Sequence, residues 1–277
     1  MQIARSIPEM KALRGNCAEP VGFVPTMGYL HEGHLELVRI ARRDNPLAVV
    51  SIFINPTQFA PNEDFKAYPR DLDRDLSLLE GVKTDIVFIP ESKDMYADEY
   101  NTWVDVQGIT AKLEGKARPT HFRGVTTVCN KLFNIVQPHK AYFGQKDAQQ
   151  ALVIQKMVAD LNMNLEVVVC PTIREKDGLA MSSRNTYLTG NERTSATILY
   201  RSLCLAEDMF ATGERDARII RKAMTELISQ ESAAKIDYVS IADMQTLDEI
   251  ATIESKALVS LAVRLGKPRL IDNIILG

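Results

Sequence analysis

The sequence predicts an α/β protein with a doubly wound parallel sheet over residues 1–176 and a smaller α+β domain over 177–277. Three observations predict it. Short apolar runs alternate with stretches of helical period as far as Cys170, the apolar period lapses over 174–184, and two helical stretches then precede three strand-like ones. Strand–helix alternation signals parallel strands with crossover helices on both faces, whereas helices followed by strands signal segregated layers.

Each element follows from its residues. Val21-Gly22-Phe23-Val24-Pro25 reads as a strand, and the turn 26–30 follows at once. From 31 to 43, Leu35, Leu37, Val38 and Ile40 suit an amphipathic helix. Residues 47–54 are largely apolar and β-branched, as in a strand buried on both faces. A polar helix over 71–79 sets Leu72, Leu76 and Leu79 on one side, and Asp85-Ile86-Val87-Phe88-Ile89-Pro90 is a strand closed by proline. Val125, Val128, Leu132 and Ile135 then form a helical stripe, followed by a strand at 140–143, a helix at 152–161 and a strand at 165–170. The pattern is that of a Rossmann-like sheet. In the second domain, Thr189-Gly190-Asn191-Glu192 fits a capping box opening one helix that runs to 211. A second helix is expected over 216–230, with strands at 237–241, 257–263 and 270–276.

Composition narrows the function classes. The 277 residues are 45% hydrophobic and 25% charged with a formal net charge of −3, an ordinary globular balance. Acids and bases are interspersed, so no basic stripe points to a nucleic-acid partner. Cys17, Cys129, Cys170 and Cys204 lie far apart with no C-x-x-C pair, which suggests neither a zinc site nor a disulfide framework. No apolar leader and no stretch of spanning length is present, so a cytoplasmic protein without a membrane partner is expected.

Four segments could carry chemistry. The first, Pro25-Thr26-Met27-Gly28-Tyr29-Leu30-His31-Glu32-Gly33-His34, lies where the first strand hands over to the first helix. Free N–H groups and the positive helix end suit phosphate there, Gly28 permits an unusual backbone angle, and Gly33 leaves room for a ligand. His31 and His34, three apart, share a face and could stabilise charge growing on a phosphate. Alone, the pair reads first as solvent-facing or metal-binding histidines, and the strand–glycine turn–helix context reverses that order. The spacing is neither that of a P-loop nor that of a dinucleotide fingerprint. The second segment, Gly178-Leu179-Ala180-Met181-Ser182-Ser183-Arg184-Asn185, offers two hydroxyls and a guanidinium to a triphosphate, or is a polar interdomain loop. The third, Gly144-Gln145-Lys146-Asp147, leads to Gln149 and Gln150 and places a phosphate ligand, Lys146, after a strand; its bland reading is a solvated Lys–Asp pair. The fourth, Asn55-Pro56-Thr57-Gln58-Phe59, offers amides for hydroxyls and carboxylates, or is a turn held by Asn and Pro. All four follow expected strands or form the joint between domains, and their convergence points to an ATP-using enzyme.

With these segments placed, the chain resembles the pantothenate synthetase (pantoate–β-alanine ligase) family, within the wider nucleotidyltransferase and class I tRNA-synthetase-like superfamily. His31–His34 resembles the superfamily's "HIGH" element and Met181-Ser182-Ser183-Arg184 its "KMSKS" element. More specific are P-T-M-G-x-L-H-x-G-H at 25–34, F-x-N-P-x-Q-F at 53–59, Y-P-R at 68–70, R-P-x-H-F-R-G-V at 118–125, F-G-x-K-D-x-Q-Q at 143–150 and D-G-L-A-M-S-S-R-N at 177–185. Gln145 departs from the family, where Glu is more frequent.

The resemblance implies ATP-dependent activation of (R)-pantoate to pantoyl adenylate, then attack by β-alanine to give pantothenate and AMP. It assigns ATP contacts to Met27, Gly28, Tyr29, Leu30, His31, Glu32, Gly33, His34, Gly144, Gln145, Lys146, Asp147, Ile173, Met181, Ser182, Ser183 and Arg184. It assigns pantoate to Gln58 and Gln150, with Gln58 also near β-alanine. His34 is the catalytic histidine, with His31 and Lys146 alongside, and Asp75 and Arg118 are further polar candidates. Mg²⁺ is expected to arrive on the triphosphate rather than in a protein cage, the smaller domain to serve as a lid, and the chain to form a homodimer. The competing enzyme reading is a nucleotidylyltransferase acting on another small acid or phosphate. A nucleotide- or RNA-binding module without catalysis is the alternative from another class.

Overall fold

The first two elements, β1 (Gln2–Ala4) and α1 (Ile7–Gly15), are additions to the expected order. Their signature is legible in Ser6-x-x-Glu9: Ser6 Oγ accepts the Glu9 N–H at 3.4 Å, and the Glu9 carboxylate takes the Ser6 N–H at 3.3 Å. The computed structural model describes residues 1–60 and 65–277. It divides into two compact units, Met1–Gln145 with Gln149–Pro171, and Lys146–Ala148 with Thr172–Gly277.

In the first unit β1 and α1 are followed by β2 (Val21–Thr26), α2 (Glu32–Asp44), β3 (Leu47–Ile52), α3 (Leu72–Gly81), β4 (Ile86–Phe88) and two short helices, α4 (Ser92–Met95) and α5 (Leu113–Ala117). Then come α6 (His121–Val136), β5 (Lys140–Gly144), α7 (Ala148–Asp160) and β6 (Glu166–Cys170). The six strands pair in parallel in the order β1-β4-β3-β2-β5-β6. Both faces are covered, because alternate strand residues enter different cores. Phe23, Val49, Phe88 and Phe143 pack with α6 residues such as Leu132 and Phe133, whereas Val24, Val50, Val87 and Tyr142 pack with Leu35 and Val38 of α2. The winding reverses between β2 and β5, so the turns leaving these strands sit at a topological switch point, where open α/β sheets bind ligands.

In the second unit α8 (Gly190–Ser195), α9 (Ile198–Ala211) and α10 (Ala217–Ser229) precede an antiparallel sheet, β7 (Ala234–Asp243), β8 (Ala257–Leu265) and β9 (Arg269–Leu276). One face of this sheet packs on Leu199, Leu203, Ile220 and Met224 of α9 and α10. The single helix expected to 211 is in fact two, parted at Ala196 and Thr197. The capping box is present, with the Thr189 N–H on Glu192 Oε2 at 2.8 Å. The break falls in a Thr-rich stretch where hydroxyls compete with the helical ladder: Thr194 Oγ1 donates to Gly190 O at 3.2 Å and Thr197 Oγ1 to Thr194 O at 2.9 Å. No helix among the described residues is long and apolar enough to cross a membrane.

Candidate active site

At the end of β2 the Thr26 hydroxyl donates to Ser51 O at 2.7 Å and accepts the Gly28 N–H at 3.2 Å, turning the chain out of the sheet. Gly28 (φ 81°) and Tyr29 (φ 48°) then both take left-handed backbone angles. A non-glycine residue there costs about 1–2 kcal/mol, so other contacts must hold it. They come from the first turn of α3. The buried Asp75 carboxylate accepts the Tyr29 N–H on Oδ2 at 2.6 Å and the Leu30 N–H on Oδ1 at 2.7 Å. Burial raises its pKa, and the two N–H groups and Arg74 oppose that shift. Arg74 completes the clasp, donating to Leu30 O at 2.9 Å and lying 5.2 Å from the Tyr29 ring centre.

Next comes His31, the N-cap of α2. Its Nδ1 accepts the Gly33 N–H at 3.2 Å, and His34 Nδ1 accepts the His31 N–H at 3.4 Å. The two imidazoles thus make a capping box, with ring centres 4.1 Å apart. A ring nitrogen that accepts a hydrogen bond carries no proton, so this network assigns an Nε2–H to each ring. The sequence suggested free backbone N–H groups as the phosphate donors. Four of these, on Tyr29, Leu30, His31 and Gly33, are engaged within the protein.

Gln58 is brought to the same turn, its Nε2 donating to Met27 Sδ at 3.0 Å. Its orientation is set by Asn55, which is 1% exposed and saturated. Asn55 Nδ2 donates to Gln58 Oε1 at 3.1 Å and to Gly124 O at 3.0 Å, while Oδ1 accepts from the Tyr96 hydroxyl at 2.9 Å and the Thr57 hydroxyl at 3.0 Å. Arg118 Nη1 lies 3.1 Å from His121 Nε2 and, having no acceptor, must donate, so His121 Nδ1–H donates to Gln58 O at 2.9 Å. Gly124 allows this approach of α6. The sequence offered Arg118 as a candidate near the substrates; in the structure it supports Gln58 O both directly, Nη2 donating at 3.4 Å, and through His121. His121 and Tyr96 are supports that the sequence left without a role, and Asn55, offered there as a recognition amide or a turn-former, holds the turn. Of the two adjacent glutamines, Gln149 is buried, accepting from Glu114 N–H at 2.9 Å and donating to Ile109 O and Lys112 O at 2.7 and 2.8 Å. Gln150 is half-buried with no side-chain hydrogen bond among the described residues.

Gly144 ends β5 and Gln145 follows it in the first unit; Lys146 and Asp147 belong to the second. There, Lys146 O accepts from Asn273 Nδ2 at 2.9 Å, and Lys146 Nζ lies 3.7 Å from Asp147 Oδ1. The segment around Met181–Arg184, which lacks apolar period, is a built hairpin. Met181 N–H donates to Ile173 O at 3.0 Å, Glu175 N–H to Leu179 O at 2.8 Å, and Gly178 turns at φ 91° against the Tyr200 ring. Ser182 Oγ accepts the Arg184 N–H at 3.2 Å, opening a short 3₁₀ turn. Arg174 anchors the hairpin through a bidentate pair to the buried Asp272 at 2.5 and 3.0 Å.

Comparison with known proteins agrees with this architecture. A family model for pantoate-beta-alanine ligase matches residues 2–275. The pantothenate synthetases of Acetivibrio thermocellus and Herpetosiphon aurantiacus are each 56% identical to the chain, covering 99% of both chains in the first case and 100% in the second. The pantothenate synthetase of Thermus thermophilus has the same fold, with a TM-score of 0.95 at 45% identity and 99% of each chain covered. The pantoate-beta-alanine ligase of Francisella tularensis, solved with beta-gamma ATP and beta-alanine, has a TM-score of 0.81 at 34% identity, covering 99% of this chain and 97% of that one. The chain therefore belongs to the pantoate–β-alanine ligase family.

Proposed function

We propose that this chain condenses (R)-pantoate with β-alanine in two steps at the site built on the 27–34 turn. The pantoate carboxylate attacks the α-phosphorus of ATP in line, pyrophosphate leaves, and pantoyl adenylate forms. The β-alanine amine then attacks the acyl carbon, AMP departs with the bonding pair, and the amine loses a proton. The observation that carries this reading is the imidazole pair, whose Nδ1 atoms are both committed to the backbone.

Attack of one anion on another is slowed mainly by charge repulsion and misalignment, so fixed donors and positioning should supply most of the rate. His34, with His31 beside it, is assigned the developing charge on the phosphates through Nε2–H. Lys146 is assigned to the same phosphates. Gln58, oriented by Asn55, and Gln150 are assigned to pantoate, with Gln58 also near β-alanine. Met27, Gly28, Tyr29, Leu30, Glu32, Gly33, Gly144, Gln145, Asp147, Ile173, Met181, Ser182, Ser183 and Arg184 complete the ATP contacts by resemblance. Among the described residues no three His, Cys, Asp or Glu side chains gather as a metal cage. Mg²⁺ is assigned to the incoming nucleotide, as part of the substrate, where it offsets phosphate charge and retains waters. A homodimer is assigned on the family resemblance, and a cytoplasmic location on the four unpaired cysteines, which suit a reducing compartment.

Pantoate-dependent ATP–pyrophosphate exchange tests the reading, with AMP release measured with and without β-alanine. His34→Ala should lower exchange by roughly 10²–10³-fold, as for loss of one transition-state donor. Exchange at the wild-type rate in that variant would refute the role of His34. AMP transfer to a phosphorylated acceptor, without need of pantoate, would point instead to a nucleotidylyltransferase.

A further inference from the structure

The turn that opens α2 has the form of an anion-binding nest, and a carboxylate of the protein already fills it. Successive backbone N–H groups in a left-handed turn converge on one point and favour negative charge there. Here the converging groups are Tyr29 N–H and Leu30 N–H, and both end on Asp75, at 2.6 and 2.7 Å. The fit is close on every side. A Cβ built on Gly28 would stand 3.0 Å from Asp75 Oδ2, and Arg74 Nη1 lies 3.5 Å from Asp75 Oδ1. Asp75 itself is 1% exposed, so no water shell shares the charge. Beyond them, the amides of His31 and Gly33 are taken by the rings of His34 and His31.

We propose that Asp75 is a positioning residue for the adenylation step, acting as an internal anion that occupies the backbone nest. It holds Tyr29 in its left-handed conformation and thereby sets the start of α2 and both imidazoles. It also keeps the triphosphate off those two amides, directing the phosphates to the histidines. The inference rests on the functional reading above.

Its test is chemical rescue. Asp75→Ala removes the carboxylate and leaves room for formate. The misplaced turn should lower the turnover of pantoate-dependent exchange by about 10–100-fold. Formate should restore most of that loss, and chloride at equal ionic strength should not. Asp75→Asn, the same size, can accept from only one amide and presents an N–H to the other. It should be slow and should not respond to formate. Wild-type exchange in Asp75→Asn, or recovery of Asp75→Ala by chloride as well as by formate, or by neither, overturns the proposal. Should Asp75→Ala fail to fold, faster amide hydrogen exchange at Tyr29 and Leu30 in Asp75→Asn is expected, and unchanged protection there overturns it. Absence of exchange in the wild-type enzyme would instead sink the functional reading. Recovery of the Tm of Asp75→Ala by formate alone would then still decide the nest.

Discussion

Gly124→Ala sets two known effects against each other. Gly124 lies in the first turns of α6, where alanine is favoured over glycine by about 0.5–1 kcal/mol. Space decides the other way. A Cβ at this position would stand 2.6 Å from Thr57 O and 2.7 Å from the backbone N and Cα of Gln58. Carbon contacts relax at about 3.5–4.0 Å, so helix and turn must part by about 1 Å. These are backbone atoms, which cannot swing aside as a side chain can. Parting them stretches the Asn55 Nδ2–Gly124 O bond of 3.0 Å and the His121 Nδ1–Gln58 O bond of 2.9 Å. Overpacking costs about 1–3 kcal/mol and each weakened buried hydrogen bond about 1 kcal/mol. After the helical gain, a net loss of about 2–3 kcal/mol is expected, lowering Tm by about 3–5 °C at this chain size. Because the displaced turn carries Gln58, the KM for pantoate should rise by about tenfold, more than that for ATP. Gly81→Ala is the control, since nothing lies within 4 Å of its added Cβ and a small gain of about 0.4–1 kcal/mol is expected. Thermal unfolding and exchange kinetics on both variants read the outcome. If Gly124→Ala is as stable as Gly81→Ala and binds pantoate normally, the close-approach argument is refuted.

Two further predictions concern buried polar groups. Asp272→Asn should cost the second unit about 3–4 kcal/mol in urea unfolding, because it leaves the mostly buried Arg174 guanidinium without its counter-charge; a loss below about 1 kcal/mol would show the pair to be solvated. Burial pushes the Tyr142 and Tyr96 hydroxyls up to about 12 from an ordinary 10.0, so both hold their protons in the folded state where the unfolded chain has lost them. Their stabilisation is therefore complete below pH 10 and is lost as pH rises through about 12. Urea midpoints should fall through that window, and less steeply in Tyr142→Phe; a flat profile would contradict the burial argument.

Much of the fold was legible because periodicity is local. The apolar run at 47–54 and the 3.6-residue stripe at 125–135 reflect contacts each segment makes along its own length, so β3 and α6 appear close to where they were expected. Capping is local too, which is why Ser6-x-x-Glu9 and Thr189-x-x-Glu192 could both be seen, though only the second was read. The turn 27–34 and the residues of the family motifs were likewise visible in the chain.

Partnerships across the chain were not, because they depend on register, rotamer and space that no short pattern encodes. Asp75 stands 45 and 46 residues from the amides it binds, within a helix that reads as a plain polar one. Gln149 and Gln150 are the same residue type side by side, yet only α7's rotation toward the Ile109 and Lys112 carbonyls makes the first structural and leaves the second with no side-chain hydrogen bond among the described residues. The histidine pair was predicted to serve phosphate from its shared face and its place at a strand–turn–helix junction. Folding decided that their Nδ1 atoms close the helix end and that the proton of each ring sits on Nε2, and this rests on backbone N–H groups whose direction only the three-dimensional turn sets.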